Sequence, residues 1–213
     1  MKSSLLSSPL LVAAALAISL GGMAAPASAT PITYGFSGLL TNSFGSLNSG
    51  DAFSGFYTID SSVAATGNVN SAVFNNLLSA SLTIGSFSAT IGPGTGLPEI
   101  QQDDVAGADR YALVGRNPLG SSQIGGLNIS LIGFRLDDTT GTAISNATTL
   151  LTNPALANFT SNTFLVFFGD PTTSDFAVVS GTLDSLSTIP EPATFALIGV
   201  GLVGLGFSRR RRA

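Results

Sequence analysis

The chain of 213 residues has no cysteine, no histidine and no tryptophan, and its single lysine is Lys2. Without cysteine there can be no disulfide framework, thiolate metal site, haem thioether or cysteine nucleophile. Without histidine the commonest general base and the commonest neutral metal ligand are missing. Much of ordinary hydrolase and zinc chemistry is therefore excluded. A chain without thiols is indifferent to its redox compartment, so the missing cysteine does not report where the protein works. Charge is scarce as well, at 9% of residues with a net charge of −4. Glycine (25) and proline (10) together stay below the level of an unstructured low-complexity chain. The length allows one or at most two domains with a real core.

The charges that exist are segregated. Between Thr30 and Ile189 lie three basic residues, Arg110, Arg116 and Arg135, and eleven acidic ones, a net charge of −8. Three scattered arginines in an acidic field supply neither attraction nor steering for phosphates, so nucleic acid is not an expected partner. The other cations stand at the two ends.

At the N-terminus, Lys2 precedes an apolar run, Leu10 to Leu20, and a small-residue stretch ending Ala27-Ser28-Ala29. This is the layout of a secretory signal peptide over residues 1–29, with Ala27 and Ala29 as the small residues that signal peptidase requires and the cut after Ala29. The apolar run is too short to span a bilayer comfortably.

The C-terminus differs. Residues 193–208 carry no charge and are followed by Arg209, Arg210, Arg211 and Arg212. A helix of that length is roughly 24 Å long, slightly short of a hydrocarbon core of about 30 Å, a mismatch that snorkelling arginines cover. The arginines read as a stop-transfer cluster that keeps the tail inside and the preceding domain outside. Just before the apolar stretch stand Pro190, Glu191 and Pro192. Two prolines one residue apart remove two backbone donors and bias their neighbours to extended conformations, so an accessible peptide is expected at the outer membrane boundary.

Pro190-Glu191-Pro192, the glycine-rich apolar stretch and the arginine cluster, in that order over residues 189–213, resemble the PEP-CTERM sorting signal of Gram-negative bacteria. Ile189 stands where that family often has valine. The resemblance implies export, a transient hold in the inner membrane through this tail, and processing by an exosortase at or near the Pro-Glu-Pro motif. It further implies an association with exopolysaccharide, biofilm and the cell surface or extracellular matrix. The tail is an address, not an activity, because unrelated domains carry it.

The central stretch, 30–188, reads on its own residues as one all-β domain, a β-sandwich or jelly-roll-like fold between signal peptide and transmembrane sorting helix. Alternation marks strands at Ile32 to Leu40 and Phe53 to Asp60, joined by a turn at Asn48-Ser49-Gly50-Asp51. Both contain Phe-Ser-Gly, at 36–38 and 53–55, which is too short to establish a repeat. Further runs are 82–91, 110–114, 127–136 with a bulge expected beside Gly133, the continuous and hence buried 164–168, and 176–183. Residues 143–159 are a candidate short helix, started or interrupted at Asn153-Pro154.

Chemistry-bearing residues are few. Glu99, Asp103, Asp104 and Asp109 read as an acidic loop, with Asp137-Asp138 after a strand. Such carboxylates are the candidate ligands for Ca²⁺, although the spacing departs from the D-x-[DN]-x-[DN]-G pattern and equally fits a solvated loop. No other cofactor is expected. A glycosidase needs two carboxylates across a cleft, and with one glutamate in the region nothing singles out a partner for it, so no catalytic residue is assigned and the domain reads as non-enzymatic. A surface of Ser, Thr, Asn and Gly can hydrogen-bond polysaccharide, making a carbohydrate- or calcium-binding module the alternative, or can serve solubility alone. The sequons at Asn128, Asn146 and Asn158 are chance products in a bacterial setting.

Overall fold

The computed structural model describes residues 31–92, 99–105, 107–120, 123–170 and 175–190. Twelve strands carry it: β1 (Pro31–Leu40), β2 (Ala52–Asp60), β3 (Thr66–Asn68), β4 (Ser71–Phe74), β5 (Leu77–Ile84), β6 (Phe87–Ile91), β7 (Glu99–Val105), β8 (Ala108–Arg116), β9 (Leu119–Gly120), β10 (Ile129–Asp138), β11 (Ser161–Gly169) and β12 (Phe176–Thr188). All pairings are antiparallel, and the strands join into a single sheet ordered β3-β4-β7-β8-β10-β11-β12-β1-β2-β5-β6-β9. The all-β expectation holds. The core, however, is made by one sheet folding over on itself.

The curl follows from distances. Neighbouring strands lie about 4.8 Å apart, so β2 and β8, five ladder steps from each other, would be roughly 24 Å apart in a flat sheet. Yet the Tyr57 and Tyr111 hydroxyls approach to 3.4 Å. Phe36 of β1 meets Phe134 of β10 with ring centroids 6.0 Å apart, and Phe53 of β2 stacks on Phe164 of β11 at 3.9 Å. Side chains on one face of each strand are thus folded inward onto one another, and burial of these aromatics is the main source of stability. Two residues after β8 the chain enters β9, which pairs with β6 through Thr90↔Leu119 and Ala89↔Gly120. The backbone itself laces the β6 edge to the end of β8.

The two Phe-Ser-Gly tripeptides turn out to face each other. In the β1–β2 ladder Phe36 pairs with Gly55, Ser37 with Ser54 and Gly38 with Phe53. Each phenylalanine lies across the glycine opposite, and the two serines point away from the core.

Several sequence expectations are corrected. The run 82–91 is not one strand but the end of β5 and the whole of β6, separated by a two-residue turn in which Gly85 takes φ 55°. The bulge in β10 falls at Ser130, between Ile129 and Leu131, rather than beside Gly133. Burial in β11 alternates instead of running continuously: Phe164, Val166 and Phe168 are buried, while Leu165 and Phe167 are half-buried on the outer face, Phe167 against Phe176. The candidate helix at 143–159 is a loop with one 3-10 turn, Leu156–Asn158, two residues after Pro154. Its backbone groups are taken up by side chains instead of by helical bonds, as described next.

Candidate functional site

The residues read as an acidic loop form a hairpin, β7 and β8, so the loop expectation is corrected. Alternation puts Ile100 and Gln102 inside and Glu99, Gln101 and Asp103 on the outer face. Glu99 and Asp104 stand at opposite ends of β7, roughly 17 Å apart by strand rise. On the outer face Asp103 accepts a hydrogen bond from the Ser71 hydroxyl at 2.7 Å and pairs with Arg110 at 3.8 Å. Arg110 also donates to Asp137 at 3.0 Å, Arg135 donates to the other Asp137 oxygen at 2.7 Å, and Arg116 pairs with Glu99 at 3.6 Å. The three arginines are therefore not scattered: all lie on the outer face of β8 and β10, each matched by a carboxylate. Exposed pairs of this kind each add about 0–1 kcal/mol. Among the described residues no group of three or more acidic side chains is placed to hold a metal ion.

Two of the three inner acidic residues, Asp109 and Asp138, serve the fold. Asp104, Asp109 and Asp138 fall in one row across β7, β8 and β10. Asp138, buried at the end of β10, accepts the N–H and hydroxyl of Thr140, the N–H and hydroxyl of Thr142, and the N–H of Ala143. These donors, led by the Thr140 hydroxyl, hold its carboxyl far below the usual carboxylate range. The stability it contributes is therefore present above about pH 4 and is lost as acid protonates it. Asp109 accepts the Ile144 N–H at 2.7 Å, while its other oxygen is buried without a hydrogen-bond partner among the described residues. Gln102, fully buried, donates to the carbonyls of Ala147 (3.1 Å) and Thr149 (2.9 Å) and accepts the Leu151 N–H at 2.7 Å. Three inward polar side chains thus clamp residues 139–151 over one end of the curled sheet. Sequence reasoning missed Gln102 altogether, and its only signal was a polar residue at an inward position of a short alternating run.

All three tyrosines meet in the core. Tyr34 stacks on Tyr57 with centroids 4.7 Å apart and donates to the Thr152 carbonyl at 2.5 Å. Burial pushes the Tyr34 phenol up to about 12 and raises Tyr57 and Tyr111 as well. Below about pH 10 phenols are neutral in folded and unfolded chains alike, so no stability is lost there. Above it the unfolded chain releases protons that the folded chain keeps, and stability falls as pH rises. An alkaline titration followed by phenolate absorbance should show no ionisation before unfolding, and should show absorbance and circular dichroism changing together. Phenolate appearing first, in a still-folded chain, would contradict the packing.

An open cleft of about 630 Å³ on the outer surface is lined by Ser37, Leu39, Ser54, Thr83 and two carboxylates, Asp51 and Asp184. Asp51 is engaged in the predicted turn, accepting the Asn48 N–H at 2.8 Å. The cleft offers hydroxyls and carboxylates to a polar ligand and has no cation in its lining.

At Gly181 β12 passes from β11 to β1, and it continues along β1 to its end. Thr188 pairs with Tyr34, the Ile189 N–H donates to the Thr33 carbonyl at 2.8 Å, and Pro190 follows, exposed. A folded β-domain thus runs without a linker into a proline-led tail. A family model described as the PEP-CTERM protein-sorting motif matches residues 188–212. No curated protein and no solved structure matches the chain. The chain therefore carries a PEP-CTERM sorting signal, which implies an exported protein with a transient membrane anchor, processed by an exosortase. Ala27, Ala29, Glu191, Pro192, the apolar segments 10–20 and 193–208, and Arg209 to Arg212 lie outside the described residues. Among the described residues no helix is long and apolar enough to cross a membrane.

Proposed function

We propose that this chain is a non-enzymatic exported protein of a Gram-negative bacterium, freed of its leader by signal peptidase and held in the inner membrane by residues 193–208. An exosortase then passes it to the cell surface or extracellular matrix. There its β-domain serves a structural or adhesive role linked to exopolysaccharide and biofilm. The observation that carries the reading is the PEP-CTERM match beginning at the last residue of β12. The domain itself supports it by what its polar groups do: Asp109, Asp138 and Gln102 clamp a loop, Glu99, Asp103 and Asp137 pair with arginine, and the remaining surface is rich in hydroxyls. Polysaccharide contact is assigned to the cleft between Asp51 and Asp184.

The test is Glu191→Ala in the native host, with the tail followed by mass spectrometry and the protein followed by fractionation. The variant should keep its tail and stay with the inner membrane, whereas processing and location equal to wild type would remove Glu191 from recognition. Titrating matrix polysaccharide into the full chain by calorimetry tests the domain, and an Asp184→Ala variant should lose the heat.

A further inference from the structure

The last hydrogen bond of the sheet and the first residue of the sorting motif are neighbours in the chain. β12 pairs with β11 from Phe176 to Gly181 and with β1 from Gly181 to Thr188, so beyond Gly181 its backbone is held along one edge, by β1. Opposite it on β1, Leu186 pairs with Phe36, Ser187 with Gly35 and Thr188 with Tyr34. Ile189 continues the ladder by donating to Thr33. Its side chain lies over Gly35, where even a methyl group would come within 3.3 Å of Ile189 Cδ1. Pro190 has no N–H, so the ladder stops there for a covalent reason.

A protease that takes its substrate as an extended strand uses the same backbone N–H and C=O groups that a sheet uses. Through Ile189 the groups that face β1 are already engaged, and the segment cannot be drawn into a protease cleft without breaking those bonds. We infer that the β1–β12 ladder sets the upstream limit of processing: the scissile bond lies on the C-terminal side of Ile189, and Pro190 is the first residue available without opening the sheet. Hydrolysis there adds water across one peptide bond, leaving a carboxylate on the domain and an amine on the released tail. A cut farther upstream would remove residues paired with β1, and one before Leu183 would also remove a side chain that is only 3% exposed. The fold thereby protects its own product. The inference rests on the reading that an exosortase processes this tail.

The mature protein, purified from the native host, is analysed by intact mass and C-terminal peptide mapping. Its C-terminus should be Ile189 or a later residue. A C-terminus at Thr188 or earlier would overturn the limit while leaving sorting intact, and a fully retained tail in wild type would instead overturn the sorting reading. A second measurement needs no exosortase. The full chain in detergent is digested with a protease of broad specificity, and the surviving domain should end at Ile189 or beyond. Ends within 176–188 appearing below the melting temperature would overturn the protection of β12.

Discussion

Gly55→Val destabilises the domain by about 3 kcal/mol or more, enough to unfold a protein of ordinary marginal stability. A Cβ on Gly55 would stand 2.1 Å from the Ser81 carbonyl oxygen and 2.5 Å from Phe36 Cζ, and one on Gly38 would stand 2.0 Å from the Thr182 oxygen and 2.6 Å from Phe53 Cζ. Backbone atoms of a packed sheet cannot retreat by an ångström without breaking ladder bonds. Ser54, next to Gly55 on β2, is exposed, and Ser54→Ala should stay within about 0.5 kcal/mol of wild type. Phe36→Ala is itself destabilising, but the double variant Phe36→Ala with Gly55→Val should lose less than the sum of the two single losses, because removing the ring relieves the ring clash though not the carbonyl clash. Urea unfolding with an unchanged slope measures all of these. A Gly55→Val midpoint equal to wild type would refute the close packing of the two tripeptides.

Gln102→Leu gives the second large effect, a loss of about 3 kcal/mol concentrated in one segment. Leucine nearly matches the shape of glutamine but leaves the Ala147 and Thr149 carbonyls and the Leu151 N–H without their partner, and each unsatisfied buried group costs about 1–3 kcal/mol. Some of that is recovered as the loop lifts and its backbone takes up water. Hydrogen exchange should therefore quicken at residues 144–152 while β1, β2 and β11 stay protected. Gln101→Leu, one residue away on the outer face, should change little. Uniformly faster exchange throughout the sheet would mean that Gln102 supports the whole fold and not that loop.

The long alternating strands were legible because one face of each is apolar and the other rich in Ser and Thr. β1 and β2 fall where their patterns place them, whereas β10, β11 and β12 occur where strands are expected but with a displaced bulge, an alternating burial and an end at Thr188 that their runs do not disclose. β7 was not legible: its inward residues include Gln102 and Asp104, so the apolar half of the pattern is missing. The groups that satisfy Gln102 lie more than forty residues downstream, beyond the reach of any local window. The same cause hid the shape of residues 139–160, whose conformation is dictated by Asp138, Asp109 and Gln102 rather than by its own periodicity. Phe-Ser-Gly was visible as a repeated tripeptide, but its meaning is a register, and only the pairing of Phe36 with Gly55 discloses that. The sorting tail was the most legible part, because an enzyme must recognise it as linear sequence.

β1 begins and β12 ends at the same edge of the molecule, since the two strands run antiparallel with Tyr34 opposite Thr188. Tension applied between the chain's two ends would load this pair as a zipper, one hydrogen bond at a time from the Thr33–Ile189 contact inward, and not in shear with all bonds sharing the force. Such a domain yields at low force when pulled by both ends. Its mechanical place in any load-bearing layer is therefore as a pendant held by one end, not as a link in a chain.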